Sequence, residues 1–171
     1  MEIDTLLRSL EATSIATAIR ENESLFPWVE SFHVLAITLV IGSIAIVDLR
    51  LMGIASRERA AGRVASEVLR CTWAAFALAA ITGALLFSSN AFDYAHNSYF
   101  QAKLAFLVLA GINMSIFHWF VGRDIERWGI PPQATPLPAR IAGAVSLVLW
   151  IGVVAFGRWV GFSLHPTPLT G

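Results

Sequence analysis

Four apolar segments constrain the fold of this chain more than any other feature of its sequence. They occupy residues 25–47, 68–87, 100–121 and 141–162. A helix rises about 1.5 Å per residue, so roughly 20 apolar residues cross the ~30 Å hydrocarbon core of a bilayer. Backbone groups find no water there, and the segments lack the alternation typical of strands. Each segment is therefore predicted to be a membrane-spanning helix.

The connections between the segments predict how the helices assemble. Because most of them are short, neighbouring helices are expected to run antiparallel. Small residues that allow close helix packing are Gly83, Gly111, Gly143, Gly152, Gly157 and Gly161. The predicted fold class is an all-α membrane protein, an antiparallel four-helix transmembrane bundle.

Composition excludes several classes of function. Hydrophobic residues make up 56% of the 171 residues and charged residues only 14%, which leaves too little polar surface for a soluble domain of this size. The 12 basic and 12 acidic residues cancel, so no basic field would attract nucleic acid. The single cysteine, Cys71, allows neither an intrachain disulfide nor a cysteine zinc cage. Motifs of hydrolases and nucleotide-binding enzymes are absent from the sequence, so at most an electron-transfer component is predicted.

Charges between the spans predict their orientation. Five arginines lie in residues 48–70 and three in residues 122–140, whereas residues 88–98 and 163–171 contain neither Lys nor Arg. Arginine-rich loops stay in the cytoplasm, so both termini are expected outside. For a bacterial inner membrane, the outside is the periplasm.

The first 24 residues differ from the spans. Apolar residues recur there at roughly helical spacing between charges, at Ile3, Leu6, Leu7, Leu10, Ile15 and Ile19. They predict a short amphipathic helix that either lies on the membrane surface or caps the bundle. The chain is thus divided into an N-terminal amphipathic segment, a transmembrane domain and a tail, at residues 1–24, 25–165 and 166–171.

Ionisable side chains within the spans are costly in lipid, so their positions carry information about function. Those predicted in the outer half of the bundle are Glu30 and His33 in the first span, Lys103 in the third and Arg158 in the fourth. An ion pair of Glu30 with Arg158 or Lys103 would fix the helix register without any further function. Lys103 is the side chain most expected to extend to the lipid headgroups.

A cofactor is the second interpretation of this cluster, and haem b is the favoured one. A b-type haem in a helical bundle needs one or two axial histidines and cations for its propionates. His33 would supply one axial imidazole, and His165 or His96, near the outer ends, the other. Arg158 and Lys103 lie at a depth suited to the propionates.

Copper is the alternative occupant. His33 with Glu30 is an acceptable ligand set, although the nearby cations would repel a bare metal ion. His118 lies about 18 residues, or ~27 Å, from the outer end of the third span, so it cannot bind the same iron as His33. With Met114 and Cys71 it would make a separate soft site at the inner end. Charges beside the inner loops, Asp48 and Arg50 among them, are interpreted as ordinary helix-end charges.

Two stretches carry a family resemblance. They are "WVESFHVLAITLVIGSIAIVDLRLMG" in the first span and "LLFSSNAFDYAHNSYFQAKLAFL", which leads into the third. The chain resembles, over nearly its whole length, an uncharacterised family of small four-span bacterial inner-membrane proteins labelled as a domain of unknown function. This resemblance implies the fold and an inner-membrane location, and no established activity. In architecture alone, the chain is loosely similar to membrane b-type cytochromes and copper-resistance membrane proteins.

Functions of different classes therefore remain open. One is a haem b protein of the inner membrane that transfers electrons. The alternative is a non-catalytic membrane component whose outer charges order the bundle or dock a periplasmic partner, and copper handling is the third. The partners that this architecture accommodates are the lipid bilayer, a periplasmic redox or docking protein, and a second copy of the chain.

Overall fold

Helices make up almost all of the structure. The computed structural model describes residues 2–54, 61–121 and 135–164, and within these ranges it contains no strand. The helices are α1 (Glu2–Glu11), α2 (Ser14–Glu21), α3 (Leu25–Leu51), α4 (Ala61–Ser89), α5 (Ala91–His96), α6 (Ser98–Ile116) and α7 (Leu137–Leu164). A π-helical turn, Phe117–Val121, continues α6.

Four of these helices are long and apolar enough to cross a membrane. The stretches concerned are Leu25–Leu51, Val68–Ser89, Ser98–Phe120 and Leu137–Leu164. The predicted all-α fold with four spanning helices is confirmed. The first and fourth spanning helices, α3 and α7, are longer than their apolar segments, because a helix satisfies its own backbone hydrogen bonds beyond the hydrocarbon region as well as within it.

The spanning helices are arranged in the order α4–α3–α7–α6. α4 packs along α3, α3 packs on α7, and α7 packs on α6. Within the described residues, α4 and α6 have no comparable backbone interface. Their side chains meet near one end of the bundle, where the rings of Phe87 and Phe100 stack with centroids 5.5 Å apart. The four-helix bundle is therefore open along its α4–α6 side.

Glycines determine where the helices approach most closely. A Cβ atom on Gly143 of α7 would lie 3.0 Å from the Asp48 carbonyl oxygen of α3. One on Gly152 of α7 would lie 2.5 Å from the Phe106 ring of α6. Gly111 and Gly161 have nothing within 4 Å of such an atom, so the expected packing role is not seen at these two positions.

The N-terminal segment forms two helices that cap one end of the bundle. We call this end, where α1, α2 and α5 lie, the outer end, and the opposite end the inner end. α2 packs on α4 and α3 and buries Ala16 and Ile19, while α1 packs mainly on α5. The capping interpretation is thus the one that the contacts show for α2.

Both sides of the α4–α5 turn are capped by this N-terminal segment. A guanidinium nitrogen of Arg20 donates to the Ser89 carbonyl at the C-terminus of α4, at 3.2 Å. A carboxylate oxygen of Glu11 accepts from the backbone N–H of Phe92, in the first turn of α5, at 2.8 Å. A cation at a helix C-terminus and an anion at an N-terminus both complement the helix dipole. The two residues therefore fix the turn from which α5 starts.

Candidate functional site

His33 is tied to the neighbouring helix through one ring nitrogen. Its Nδ1 atom lies 2.9 Å from Oγ1 of Thr82 on α4. The Thr82 hydroxyl donates its single hydrogen to a carbonyl of its own helix, with Leu78 at 2.7 Å and Ala79 at 3.3 Å. We assign the hydroxyl hydrogen to these carbonyls because the shorter distance is to Leu78. With that assignment the oxygen accepts from His33, and the neutral ring carries its hydrogen on Nδ1. Nε2 is then left with its lone pair. Metal-binding histidines use this nitrogen, in this tautomer, when a hydrogen-bond partner holds their Nδ1–H.

The His33 ring lies against bare backbone. A Cβ atom on Gly83 would be 2.9 Å from Cε1 and 3.7 Å from Nε2 of this ring. Thr82 and Gly83 are adjacent on α4, so one residue binds the imidazole and the next leaves space for it. The sequence prediction of His33 as an interior group is consistent with this position, because its side chain is half-buried between α3 and α4.

Lys103 faces the same interior from α6. Its side chain runs along Gly157 of α7, with Cδ and Cε 3.6 Å and 3.7 Å from the position of a Cβ there. Nζ lies 5.9 Å from the centroid of the Phe100 ring. Lys103 is also the only lysine in the chain. His33 and Lys103 are thus the two predicted site residues whose side chains lie within the bundle, and we call them the polar cluster.

Glu30 and Arg158 do not join this polar cluster by ion pairs. Both side chains are exposed, and in the described part of the chain Glu30 pairs with neither Arg158 nor Lys103. The Arg158 guanidinium instead lies over the Phe162 ring of its own helix, 4.8 Å from the centroid. The expected roles of the two cations are therefore exchanged. Lys103 turns inward, and Arg158 turns out toward the bilayer surface.

Tyr94 is the side chain that interacts with Glu30. Burial raises the pKa of the Tyr94 phenol above its ordinary value, and the negative charge of Glu30 raises it further. The Tyr94 ring also packs near Phe100 and Phe87, with centroids 5.5 Å and 6.3 Å away. These three rings lie above Lys103 at the outer end of the bundle. Tyr94 is not among the residues that the sequence predicted for the site.

His96 is engaged elsewhere. Its Nδ1 donates to the Phe92 carbonyl at 2.9 Å, and its Nε2 lies 3.6 Å from a carboxylate oxygen of Asp4 on α1. Nδ1 of this exposed side chain is thus occupied by the protein, and Nε2 faces a carboxylate with which it pairs only when the ring is protonated. The structure places His96 at the contact between α5 and α1 and not over the polar cluster.

The ligands predicted for the inner end lie apart from the polar cluster. His118 is exposed in the π-helical turn, and Met114 is exposed on α6. Cys71 is exposed on α4, which has no backbone interface with α6 in the described residues. In residues 2–54, 61–121 and 135–164 no group of three or more His, Cys, Asp or Glu side chains could hold a metal ion. His165 lies outside the described residues.

Asp48 and Arg50, which the sequence suggested to be ordinary helix-end charges, are buried. Only 5% of Asp48 and 2% of Arg50 is exposed. Ser146 of α7 is a hydrogen-bond partner of the Asp48 carboxyl group, beside the close contact at Gly143. A signal existed in the spacing for Arg50, which lies on the same side of α3 as the buried residues Ala36, Val40 and Ser43. Asp48 lies about 80–140° around the helix from these three residues, so spacing did not indicate its burial.

Comparison with known proteins identifies a family. The profile of DUF6644, a family of unknown function, matches residues 24–163. The chain belongs to DUF6644. The residues matched to DUF6644 cover the four spanning helices, except the last residue of α7, and both members of the polar cluster, and they exclude α1 and α2. No curated protein and no solved structure matches this DUF6644 chain significantly.

Proposed function

We propose that this multi-pass membrane protein binds haem b at His33 and transfers electrons. The observation that carries the proposal is the state of the His33 ring. Thr82 accepts the Nδ1 hydrogen, so the lone pair of Nε2 is available inside a spanning helix. Axial histidines of haem proteins are oriented in this way, with the second nitrogen hydrogen-bonded to a fixed acceptor.

Lys103 supports haem over a bare metal ion. A cation in the membrane is costly, and among the described residues it has no carboxylate partner within ion-pair distance. Haem carries two propionates, which Lys103 would bind as counter-charges. A copper ion would instead be repelled by this ammonium group. Copper handling at His33 is therefore the third choice, and the absence of a three-ligand group among the described residues gives it no support.

The arrangement of the helices also supports a flat ligand. Backbone contacts between α4 and α6 are missing in the described residues, and this is the side on which we place the ring. The second axial position has one candidate left, His165, because His96 and His118 point to other places. We propose His165 as that ligand. If His165 does not bind the iron, the iron would be five-coordinate, with His33 as its single axial ligand.

An absorption spectrum of the detergent-purified protein tests the proposal. We expect a Soret band and extractable haem b in the unaltered chain, and loss of both in His33→Ala. His96→Ala and His118→Ala are the matched controls and should retain the band. Lys103→Met should lower haem retention, whereas Arg158→Met should not. Absence of haem from the unaltered chain, or an unchanged spectrum in His33→Ala, would exclude the proposal. Metal analysis of the same sample measures copper.

A non-catalytic membrane component is the second candidate function. It is favoured by the His33–Thr82 hydrogen bond, which satisfies the imidazole through α4 without any cofactor. In this case the outer charges order the bundle or dock a periplasmic protein. His33→Ala should then lower the thermal stability of a protein that contains no haem, and a cross-linked outer partner should be lost on altering exposed Glu30.

We also propose an inner-membrane location with both termini in the periplasm. The arginine-rich segments, residues 48–70 and 122–140, support this orientation through their charge. Single cysteines in a Cys71→Ser background test it. A membrane-impermeant maleimide should label Ser98→Cys in intact spheroplasts and Ser56→Cys only after lysis. The reverse pattern would exclude this orientation.

A further inference from the structure

One side of α1 binds the protein through polar groups. Asp4, Arg8 and Glu11 lie on the same side of the helix, and all three contact α5. A carboxylate oxygen of Asp4 lies 3.6 Å from Nε2 of His96, and the Arg8 guanidinium lies 4.3 Å from the centroid of the Phe92 ring. Glu11 accepts from the Phe92 backbone N–H at 2.8 Å. We call these three contacts the α1–α5 latch.

A second side of α1 is apolar and uncovered. Ile3, Leu6 and Leu10 are 71%, 68% and 37% exposed. Each residue turns a helix by about 100°, so this side lies about 130° around the axis from the latch. Thr5 and Ser9 form a third side, which is polar and exposed. A helix with one side on protein, one apolar and one polar matches the boundary between a membrane protein, the lipid and water.

The lipid surface is the occupant that the surroundings of α1 favour. α1 packs on α5 and α4 at the outer end of the spanning helices, which is where a membrane around these helices would have its surface. Trp28, a residue type that concentrates at membrane interfaces, is 63% exposed near the same end, on α3. α1 contains three acidic residues and one arginine, so attraction to anionic lipid is not the cause of binding.

The latch is connected to the polar cluster through α5. This six-residue helix carries Phe92 and His96, which the latch holds, and Tyr94 between them. The ring centroids of Tyr94 and Phe100 are 5.5 Å apart, and Phe100 lies 5.9 Å from Nζ of Lys103. Moving α5 would therefore move Tyr94, which packs near the Phe100 ring beside Lys103.

We propose that α1 is a lipid-anchored latch that controls access to the polar cluster from the outer side. The apolar side of α1 enters the membrane that surrounds the bundle, at its outer face. The polar side of α1 holds α5 over Lys103. The proposal depends on the proposed function only for the identity of the molecule that the polar cluster binds. Its tests need no haem, so the latch and the haem hypothesis fail separately.

Spin labels test the lipid contact. In a Cys71→Ser background, a nitroxide at Leu6→Cys in zwitterionic nanodiscs should relax more with oxygen, which dissolves in lipid, than with a water-soluble nickel chelate. The matched control on the polar side, Ser9→Cys, should show the opposite preference. Greater access of the nickel chelate at Leu6→Cys would overturn the proposal. Dipolar broadening between labels on two chains would also overturn the proposal, because it would show that a second copy of the chain covers the apolar side of α1.

Acylation of the single lysine tests the latch. Glu11→Ala and Arg8→Ala should speed labelling of Lys103 by a membrane-impermeant succinimidyl ester at least about fivefold, as loss of a helix cap would predict. Hydrogen exchange of the Phe92 amide should quicken by a similar factor in Glu11→Ala. Glu23→Ala, an exposed site between α2 and α3, is the control and should change neither rate. Faster amide exchange with unchanged Lys103 labelling would show that α1 holds α5 without controlling access, and no change in either rate would exclude the latch. Both results overturn the proposal.

Discussion

The Nδ1 atom of His33 and the Oγ1 atom of Thr82 lie 2.9 Å apart and join α3 to α4 within the spanning part of the chain. Because the Thr82 hydroxyl hydrogen is already directed to its own helix, the pair has one donor and one acceptor with defined roles. The same contact stabilises the helix pair and leaves Nε2 available for a ligand.

Thr82→Val should remove this contact with little change in volume. The His33 N–H then loses its threonine acceptor in a half-buried position, which costs about 1–3 kcal/mol of unfolding free energy. We expect a lower midpoint of thermal unfolding in detergent and, for the haem-loaded protein, a weaker Soret band. Thr82→Ser keeps a hydroxyl at this position and should therefore retain both the unfolding midpoint and the Soret band. Thr38→Val, at an exposed site on α3, is the control, and an equal loss there would show that the effect is not due to His33.

Substitutions of glycine by alanine should separate the close helix contacts from open positions. At Gly143 the new Cβ meets the backbone of Asp48 at 3.0 Å, and at Gly152 it meets the Phe106 ring at 2.5 Å. Either the helices or the ring must move, which costs about 1–3 kcal/mol. Gly42→Ala meets nothing within 4 Å and should be neutral or slightly stabilising. The unfolding midpoints of Gly143→Ala and Gly152→Ala should therefore be lower than that of Gly42→Ala, as thermal unfolding can measure. Equal midpoints in the three variants would contradict this prediction.

The sequence was sufficient for the spanning helices and insufficient for the directions of their polar side chains. Length and hydropathy determine a span, because an unpaired backbone is excluded from lipid whatever the neighbours are. Which cation turns inward depends on rotation about each helix and on what lies opposite. Lys103 runs along Gly157, a residue with no side chain, whereas Arg158, the next residue, faces outward. Helical register in α3 was the available signal for Arg50, and its charge concealed it. Asp48 lies off that register, so its burial depends on the packing of α7.

Arg20→Ala tests how far the N-terminal segment stabilises the α4–α5 turn. The guanidinium donates to the carbonyls of Ser89 at 3.2 Å and of Glu11 at 3.4 Å. Loss of these partly exposed hydrogen bonds should cost about 0.5–1.5 kcal/mol. Protease nicking near residue 22, measured in detergent, should therefore be faster. Arg140→Ala, an exposed arginine near the start of α7, should leave the nicking rate unchanged, and Arg20→Lys should restore it in part.

Tyr94 gives the chain a pH dependence that begins in the alkaline range. Since burial and Glu30 raise the pKa of Tyr94 in the folded protein, the folded state keeps a proton that the unfolded state has already lost near pH ~10. The free energy of unfolding should therefore decrease as the pH rises above that value, and Tyr94→Phe should remove this part of the decrease. The chain has two tyrosines, so in Tyr99→Phe the phenolate absorbance reports Tyr94 alone. We expect its midpoint above that of free tyrosine, and a partial downward shift on adding Glu30→Gln, because burial is the larger cause. A midpoint equal to that of free tyrosine would contradict the packing of α5 described above.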